Sequence, residues 1–349
     1  MPRPRANKAL TKTQARKKQH LEICLDTESV SSHSSTGLDH YRFIHNALPE
    51  LDLDEIDVGT TFLGKKLGAP ILISSMTGGF DLARKVNRNL AAAAQELSIA
   101  MGVGSQRVAI EEPSAADSFR VRDVAPDILL LGNLGAVQLN YGYSSEQCRS
   151  AVAMIGADAL ILHLNVLQEA LQPEGNRNFK GLTEKIAAVC RELSVPVVVK
   201  EVGNGISVEV AKRLHSAGVA AIDVAGKGGT AWSAVEAQRA TQQGKPYSRT
   251  FTDWGIPTEE ALVGVRAALP QVELVASGGI RSGLDIAKSI ALGADMAALG
   301  QPLLAAALES SHEVVKLIGG IIHELRVAML CAGAANLETL RQTPLARCS

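Results

Sequence analysis

Aromatic residues are scarce: Phe, Trp and Tyr make up 3% of the 349 residues. The apolar mass is therefore Ala, Val, Leu and Ile, which suits a parallel sheet wrapped by helices. An excess of charge of one sign is lacking too. The formal net charge of -1 gives no electrostatic reason to expect a nucleic-acid partner or a stable membrane association. The five cysteines (Cys24, Cys148, Cys190, Cys331, Cys348) are scattered and form no CxxC pair, so they read as reduced thiols of a cytoplasmic protein. No apolar run is long enough to cross a bilayer. The basic N-terminus, "MPRPRANKALTKTQARKKQH", is not followed by an apolar signal segment, which argues against secretion.

What is present is a repeat. With 46% hydrophobic residues the chain can bury a sizeable core, in one large domain or two ordinary ones. From Pro70 onward, a short apolar run ends in Gly, Ser, Thr or Asn, and an amphipathic segment follows. The apolar runs are "PILIS" (70–74), "IAMGVG" (99–104), "ILLLG" (128–132), "ALILHL" (159–164), "PVVVK" (196–200), "AAIDVA" (220–225), "VELVAS" (272–277) and "MAALG" (296–300). Segments between them, such as "DLARKVNRNLAAAAQEL" and "SVEVAKRLHSAG", carry apolar residues at i, i+3, i+4 spacing and are expected helices. Eight strand-helix units imply an α/β fold, a closed (β/α)8 TIM barrel over residues 70–349. The alternative is a doubly wound open sheet. Residues 1–69 precede the barrel and are expected to cover one end, with 1–12 as a tail. The segment 226–257 is too long for a simple connection and reads as a functional loop. The stretch after Gln301 reads as C-terminal helix.

In such a barrel the reacting groups lie where the strands end. Those ends hold "SSMTGG" (74–79), "SQR" (105–107), Asn133, then His163, Asn165, Gln168 and Glu169, then Lys200, "GKGGTAW" (226–232), "SGGIR" (277–281) and Gly300-Gln301. The two glycine turns, "SGGIR" and "ALGQP", each precede a helix. They read either as a phosphate site, where backbone N–H groups approach an anion, or as two tight turns. Lys200 ends a run of valines. It is either salt-bridged to Glu201 or another carboxylate, or faces a flavin ring, where it would stabilise the charge gained on reduction. Trp232 and Glu236 sit at i, i+4. They form either a hydrophobic wall with a polar relay, or lid packing with a surface carboxylate.

"RKKQH" (16–20), "SSMTGG", "GSQR", "HLNVLQE", "KEVGNG", "GKGGTAW", "FTDWGIPT" (251–258) and "SGGIRSG" occur together and in order. In these the chain resembles, over nearly its whole length, the type 2 isopentenyl diphosphate isomerases, the flavin-dependent form of that enzyme. The resemblance implies FMN, Mg²⁺, NADPH as reductant, and a redox-neutral interconversion of isopentenyl and dimethylallyl diphosphate by proton addition and elimination. It also implies a homo-oligomer, tetramer or octamer.

Carried over, FMN would meet Ser75, Met76, Thr77, Ser105, Asn133, Lys200 and Thr230. Its phosphate would lie on Gly279, Ile280, Arg281, Gly300 and Gln301. The diphosphate would meet Arg16, Lys17, Ser105, Gln106 and Arg107. His163 and Asn165 would stand beside flavin and diphosphate, Gln168 at the hydrocarbon end, and Glu169 on Mg²⁺, for which one carboxylate with phosphate and water is enough. Without the resemblance, Gln168-Glu169 is an ordinary solvated loop pair and His163 a hydrogen-bonded rim histidine. Many relatives have Ala-Arg where this chain has Gly300-Gln301, which removes a side-chain charge but no backbone contact. Two rivals remain: a hydroxyacid-oxidising FMN barrel, which needs an arginine clamp for a carboxylate, and a non-catalytic flavin-binding sensor.

Overall fold

A computed structural model describes residues 11–26, 30–242, 244 and 249–348. Eight parallel strands close into a barrel: β1 (Ile71–Ile73), β2 (Ala100–Gly102), β3 (Leu130–Gly135), β4 (Ala159–His163), β5 (Val197–Lys200), β6 (Ala221–Asp223), β7 (Glu273–Ala276) and β8 (Met296–Leu299). β8 pairs with β1 to complete the ring. The closed sheet excludes the doubly wound alternative. β3 runs later than its apolar run suggests. Leu130–Gly135 includes Asn133, whose polar side chain hides the strand's true end from a hydropathy reading.

Strand alternation explains both core and rim. Leu72, Ala100, Leu131, Ile161, Val198, Ala221, Val275 and Ala298 point inward and pack on one another in the barrel's interior. Ile71, Leu130, Leu160, Val197, Ile222 and Leu274 belong to the outer core, against the helices. Successive side chains of a strand alternate faces. The next inward position on each strand is therefore two residues on. Those positions are Ser74, Asn133, His163, Lys200, Asp223, Ser277 and Gly300, with Gly102 and Gly104 on β2. One hydrophobic layer is thus capped, by period alone, with a polar one.

Six helices matter below: α1 (Lys12–Leu25), α2 (Asp81–Leu97), α3 (Val166–Leu171), α4 (Trp232–Gln242), α5 (Gly283–Ala291) and α6 (Ser311–Ala332). α1 starts on a capping box in which Thr11 and Gln14 satisfy each other's backbone N–H groups. Residues 1–10 of the expected tail lie outside the described residues, but 11 and 12 are helix cap and first turn. α5 and α6 approach so closely that a Cβ on Gly283 would fall 2.2 Å from the Leu325 nitrogen. The C-terminal helix is broken at Ser310, which caps α6. Among the described residues no helix is long and apolar enough to cross a membrane.

The segment before the barrel covers both ends, not one. α1 lies over the C-terminal rim, where the Lys17 ammonium donates to the Ser105 carbonyl. The hairpin of Thr60–Phe62 and Lys65–Leu67 closes the opposite end. There Phe62 joins the interior core, and the Leu63 N–H donates to Glu273 at the start of β7. Tyr41–Phe43 pairs with Leu345–Arg347 and ties the segment to the far end of the chain.

Candidate active site

The polar layer opens into a cavity of about 270 Å³, continuous with solvent and roofed by α1 and α4. Arg16, Lys17, Ser75, Met76, Thr77, Ser105, Arg107, Asn133, His163, Asn165, Gln168, Glu169, Lys200, Thr230, Trp232, Gly279, Ile280, Arg281, Gly300 and Gln301 all line it. Sequence positions nearly 300 residues apart therefore meet in one space, because all eight strands end there and α1 lies across them.

Two of the expected residues do not line it. Gln106 is fully buried outside the cavity. Its amide donates to the Ala151 carbonyl and its oxygen accepts from the Asn133 N–H, so it braces β3 against the helix Ser145–Ile155. That is a correction to its expected place on the diphosphate: both ends of the side chain are already engaged. Glu236 is also absent from the wall and 3% exposed. It sits one layer back, with Gln168 at 3.3 Å, Gln172 at 2.8 Å, His20 at 3.0 Å and Arg239 at 3.2 Å. Burial works against its charge, but His20, Gln168 and Arg239 together hold its carboxyl below the usual range. Its partner His20 meets Trp232 edge-on, with ring centroids 5.2 Å apart.

The cationic corner comes from α1 and the residues after β2. Burial, with Arg16 beside it, brings the Lys17 ammonium down to about 7. Arg16 donates to Gln172, and Arg107 to Asn176 and Glu111. Burial, with Lys17 and Lys200 nearby, lowers His163 to about 4, so the ring is neutral at physiological pH. Its Nδ1 lies 2.8 Å from the Asn133 side-chain oxygen. Nδ1 therefore carries the hydrogen, and Nε2 is left as an acceptor.

On α3 and the turn before it, Asn165, Gln168, Glu169 and Gln172 share one helical face. Asn165 donates to both Gln168 and Glu169 at 3.1 Å. The other Glu169 oxygen accepts from the Asn176 N–H. Lys200 pairs not with its neighbour Glu201 but with Asp223, at 2.9 Å. Glu201 instead accepts three backbone N–H groups, from Val202, Gly203 and Asn204.

The glycine corner differs from expectation in detail. The N–H groups of Arg281 and Ser282 at the start of α5 already donate to Asp285, and that of Gly283 to Glu324. The helix end is consumed within the protein. The N–H groups of Gly279, Ile280, Gly300 and Gln301, in contrast, meet no acceptor among the described residues. Gly279 has φ +80°, and a Cβ there would fall 2.4 Å from the Gly228 carbonyl oxygen. The turn exists only as glycine. The Gln301 side chain donates to the Cys24 carbonyl at the end of α1 and brings no charge to the corner.

Ser75 Oγ, Thr77 Oγ1 and Asn165 Oδ1 are buried without partners among the described residues. Such atoms are costly unless something else bonds them. With the free N–H groups at the glycine turns, they fit a phosphate-bearing polar cofactor lying across the barrel mouth. For a metal the donor set is small. Among the described residues no three His, Cys, Asp or Glu side chains converge, and Glu169 with Asn165 Oδ1 offers only hard oxygens.

Asp223, Gln172 and Arg239 were not anticipated. The signal for Asp223 was available, since it lies two residues beyond inward-facing Ala221. Gln172 and Arg239 extend the helical faces of Gln168 and Glu236 by one turn.

A family model described as FMN-dependent dehydrogenase matches residues 9–123 and 156–347. The isopentenyl-diphosphate delta-isomerase of Nostoc sp. is 52% identical over 332 residues, 95% of this chain and 95% of that protein. The protein of that name from Synechococcus sp. is 53% identical over 336 residues, 95% and 96% of the two chains. The chain belongs to the isopentenyl-diphosphate delta-isomerases, within the FMN-dependent family. Among solved structures, a mandelate oxidase carrying a monooxide FMN adduct is similar with a TM-score of 0.65 at 22% identity, over 94% of this chain and 92% of that one. A mandelate oxidase with benzoyl-formic acid gives 0.65 at 21%, over 95% and 98%. These likenesses extend to the barrel and not to the delta-isomerase chemistry: the isomerase relatives share half their residues with this chain, the oxidases about a fifth.

Proposed function

We propose that the protein interconverts isopentenyl and dimethylallyl diphosphate, using reduced FMN and Mg²⁺. Family membership carries the reading, and the juxtaposition of a cationic corner, a free-amide glycine corner and a roofed cavity supports it. FMN, when bound and reduced by NADPH, supplies an electron-rich face and exchangeable protons. The chain's own residues do the rest.

Arg16, Lys17 and Arg107 take the diphosphate, a group far from the reacting carbons. Its binding energy holds the alkene in position, which matters because protonating an alkene has a high barrier and positioning is where a protein can lower it. Glu169 and Asn165 Oδ1 offer oxygens to Mg²⁺, which needs few protein ligands when phosphate and water complete its shell. Trp232, steadied by His20, walls the hydrocarbon end. An aromatic face there stabilises positive charge developing on carbon. Gln168 is poised to hold or pass a proton at that end. Glu236 fixes its amide from behind. His163, neutral, orients Asn133 and presents Nε2 as an acceptor. α1, held to the rim by the Lys17 ammonium donating to the Ser105 carbonyl, covers part of the cavity mouth.

The hydroxyacid reading is disfavoured by Glu169 and by cations grouped for a diphosphate. The homo-oligomer and a cytoplasmic location belong to the same proposal, and light scattering of the purified protein reads the former. The deciding test is paired. Reconstituted protein is given isopentenyl diphosphate anaerobically with reduced FMN, or hydroxyacids in air. The proposal expects dimethylallyl diphosphate in the first and no oxygen uptake in the second. FMN bound with neither activity would leave the sensor reading.

A further inference from the structure

We propose that Asp223 sets the charge at the edge of the bound flavin by cancelling Lys200, so that the pair, rather than the lysine, fixes how strongly the protein favours reduced over oxidised FMN. The inference rests on the flavin reading above. Lys200 and Asp223 end adjacent strands and are register partners in the β5–β6 ladder. Both side chains face inward at the polar layer, so the register itself brings them together. Lys200 Nζ lies 2.9 Å from Asp223 Oδ2 and donates to Ser277 Oγ at 3.1 Å. Ser277 Oγ in turn donates to Asp223 Oδ1 at 2.5 Å, which also accepts from the Ala225 N–H. Lys200 and Ser277 line the cavity, while Asp223, 1% exposed, lies behind them. Asp223 is therefore a positioning residue that acts through Lys200.

Two-electron reduction places negative charge on the pyrimidine side of a flavin, and a nearby cation stabilises it. An uncompensated lysine would favour the anionic, proton-poor form. A lysine with a carboxylate 2.9 Å behind it presents almost no net charge. The edge can then keep its proton. An oxidase gains from a cation that draws electrons into the ring. An isomerase begins and ends with the ring reduced, and gains from a ring that can give and regain a proton. The salt bridge gives this chain the second kind of edge. It also answers why a lysine at the mouth of an apolar barrel is tolerated: it is paired and hydrogen-bonded, as a buried charge must be.

The test is a charge cycle with Asp223→Asn, Lys200→Met and the double variant. The readout is the ratio of dissociation constants for oxidised and reduced FMN, titrated anaerobically with the electrons supplied by dithionite. Asp223→Asn is expected to raise the preference for reduced FMN about tenfold, ~30 mV for a two-electron couple. Lys200→Met should lower it by a similar factor, and the double variant should return to within about threefold of the wild type. Ser277→Ala, which keeps both charges, should also stay within that range. If Asp223→Asn does not fold, adding it to Lys200→Met must still move the ratio back up about tenfold. Single variants that shift the same way, or a Ser277→Ala shift as large as that of Asp223→Asn, would overturn charge cancellation in favour of hydrogen-bond geometry. Wild-type protein that takes up no FMN would overturn the flavin reading itself, a result distinct from FMN bound with an unmoved ratio.

Discussion

Neighbouring residues on α3 have separable tasks under this account. Glu169→Gln keeps the shape and removes the charge. It should weaken apparent Mg²⁺ affinity by at least about 10- to 100-fold, the range for losing a group that merely supports a metal ligand, and raise KM for the diphosphate. Gln168→Leu keeps the bulk and removes the amide next to Glu236. It should lower kcat, by about 2–4 kcal/mol of transition-state stabilisation, more than it alters KM. Separate titrations of Mg²⁺ and substrate distinguish the two. An unchanged Mg²⁺ dependence in Glu169→Gln would make that residue a hydrogen-bonded loop brace, held by Asn165 and Asn176.

Lys17 gives a pH prediction at the same scale. Burial lowers its ammonium to about 7 in the free protein. The diphosphate needs the charged form, so kcat/KM, which reports the free enzyme, should fall as pH rises above about 7. Lys17→Met should lower kcat/KM at acid pH and erase that limb. For folding the sign is the reverse. The unfolded chain holds the Lys17 proton up to the ordinary lysine value of 10.5 and the folded chain only to about 7. The unfolded state thus binds more protons between those values, and the Lys17 contribution makes ligand-free stability rise with pH across that window. His163, lowered to about 4, should contribute no limb near neutrality.

At the scale of elements, the proposal predicts that α1 separates cofactor binding from substrate binding. It brings Arg16, Lys17 and His20 to the mouth, while the glycine corner and Lys200 belong to the barrel. A chain starting at residue 27 should still take up FMN but fail to saturate with diphosphate. Flavin absorbance and a KM determination read the two properties separately. Loss of FMN uptake would mean that the Gln301–Cys24 bond ties the phosphate turn to the helix.

Elements are also where the sequence was most and least legible. The expected α2 boundaries, 81–97, coincide with the observed helix, because its apolar spacing is regular and nothing tertiary opposes it. Each of the eight apolar runs became a barrel strand. β3 was misplaced because Asn133 faces a polar cavity rather than the core. Gln106 lies in the right motif but turns the other way, since the backbone between Ser105 and Arg107 cannot aim three consecutive side chains at one space. The Lys200 partner stays open in the sequence, Glu201 or another carboxylate, because the nearest carboxylate in sequence is not the nearest in space. Strand alternation sends it to the opposite face, and ladder register supplies Asp223 instead.

For the whole molecule, closure of the barrel explains why one rim collects every site residue. The inward positions of the eight strands carry aliphatic side chains below, then polar side chains or glycine above. Among the described residues the hairpin at Phe62 fills the opposite end, and the cavity opens at the rim under α1 and α4. The fold itself is shared with oxidases of about a fifth the sequence identity. On the proposed reading the chemistry is set at the rim: grouped cations proposed to take a diphosphate, one hard carboxylate, and a lysine paired with Asp223. All three suit a reaction that moves a double bond without a change of oxidation state. The most direct measurement is a count, made anaerobically, of NADPH oxidised against dimethylallyl diphosphate formed from isopentenyl diphosphate. The account predicts many products per flavin after a single initial reduction, with no further NADPH consumed. One NADPH oxidised for each product, or product formed equally well with oxidised flavin, would contradict it.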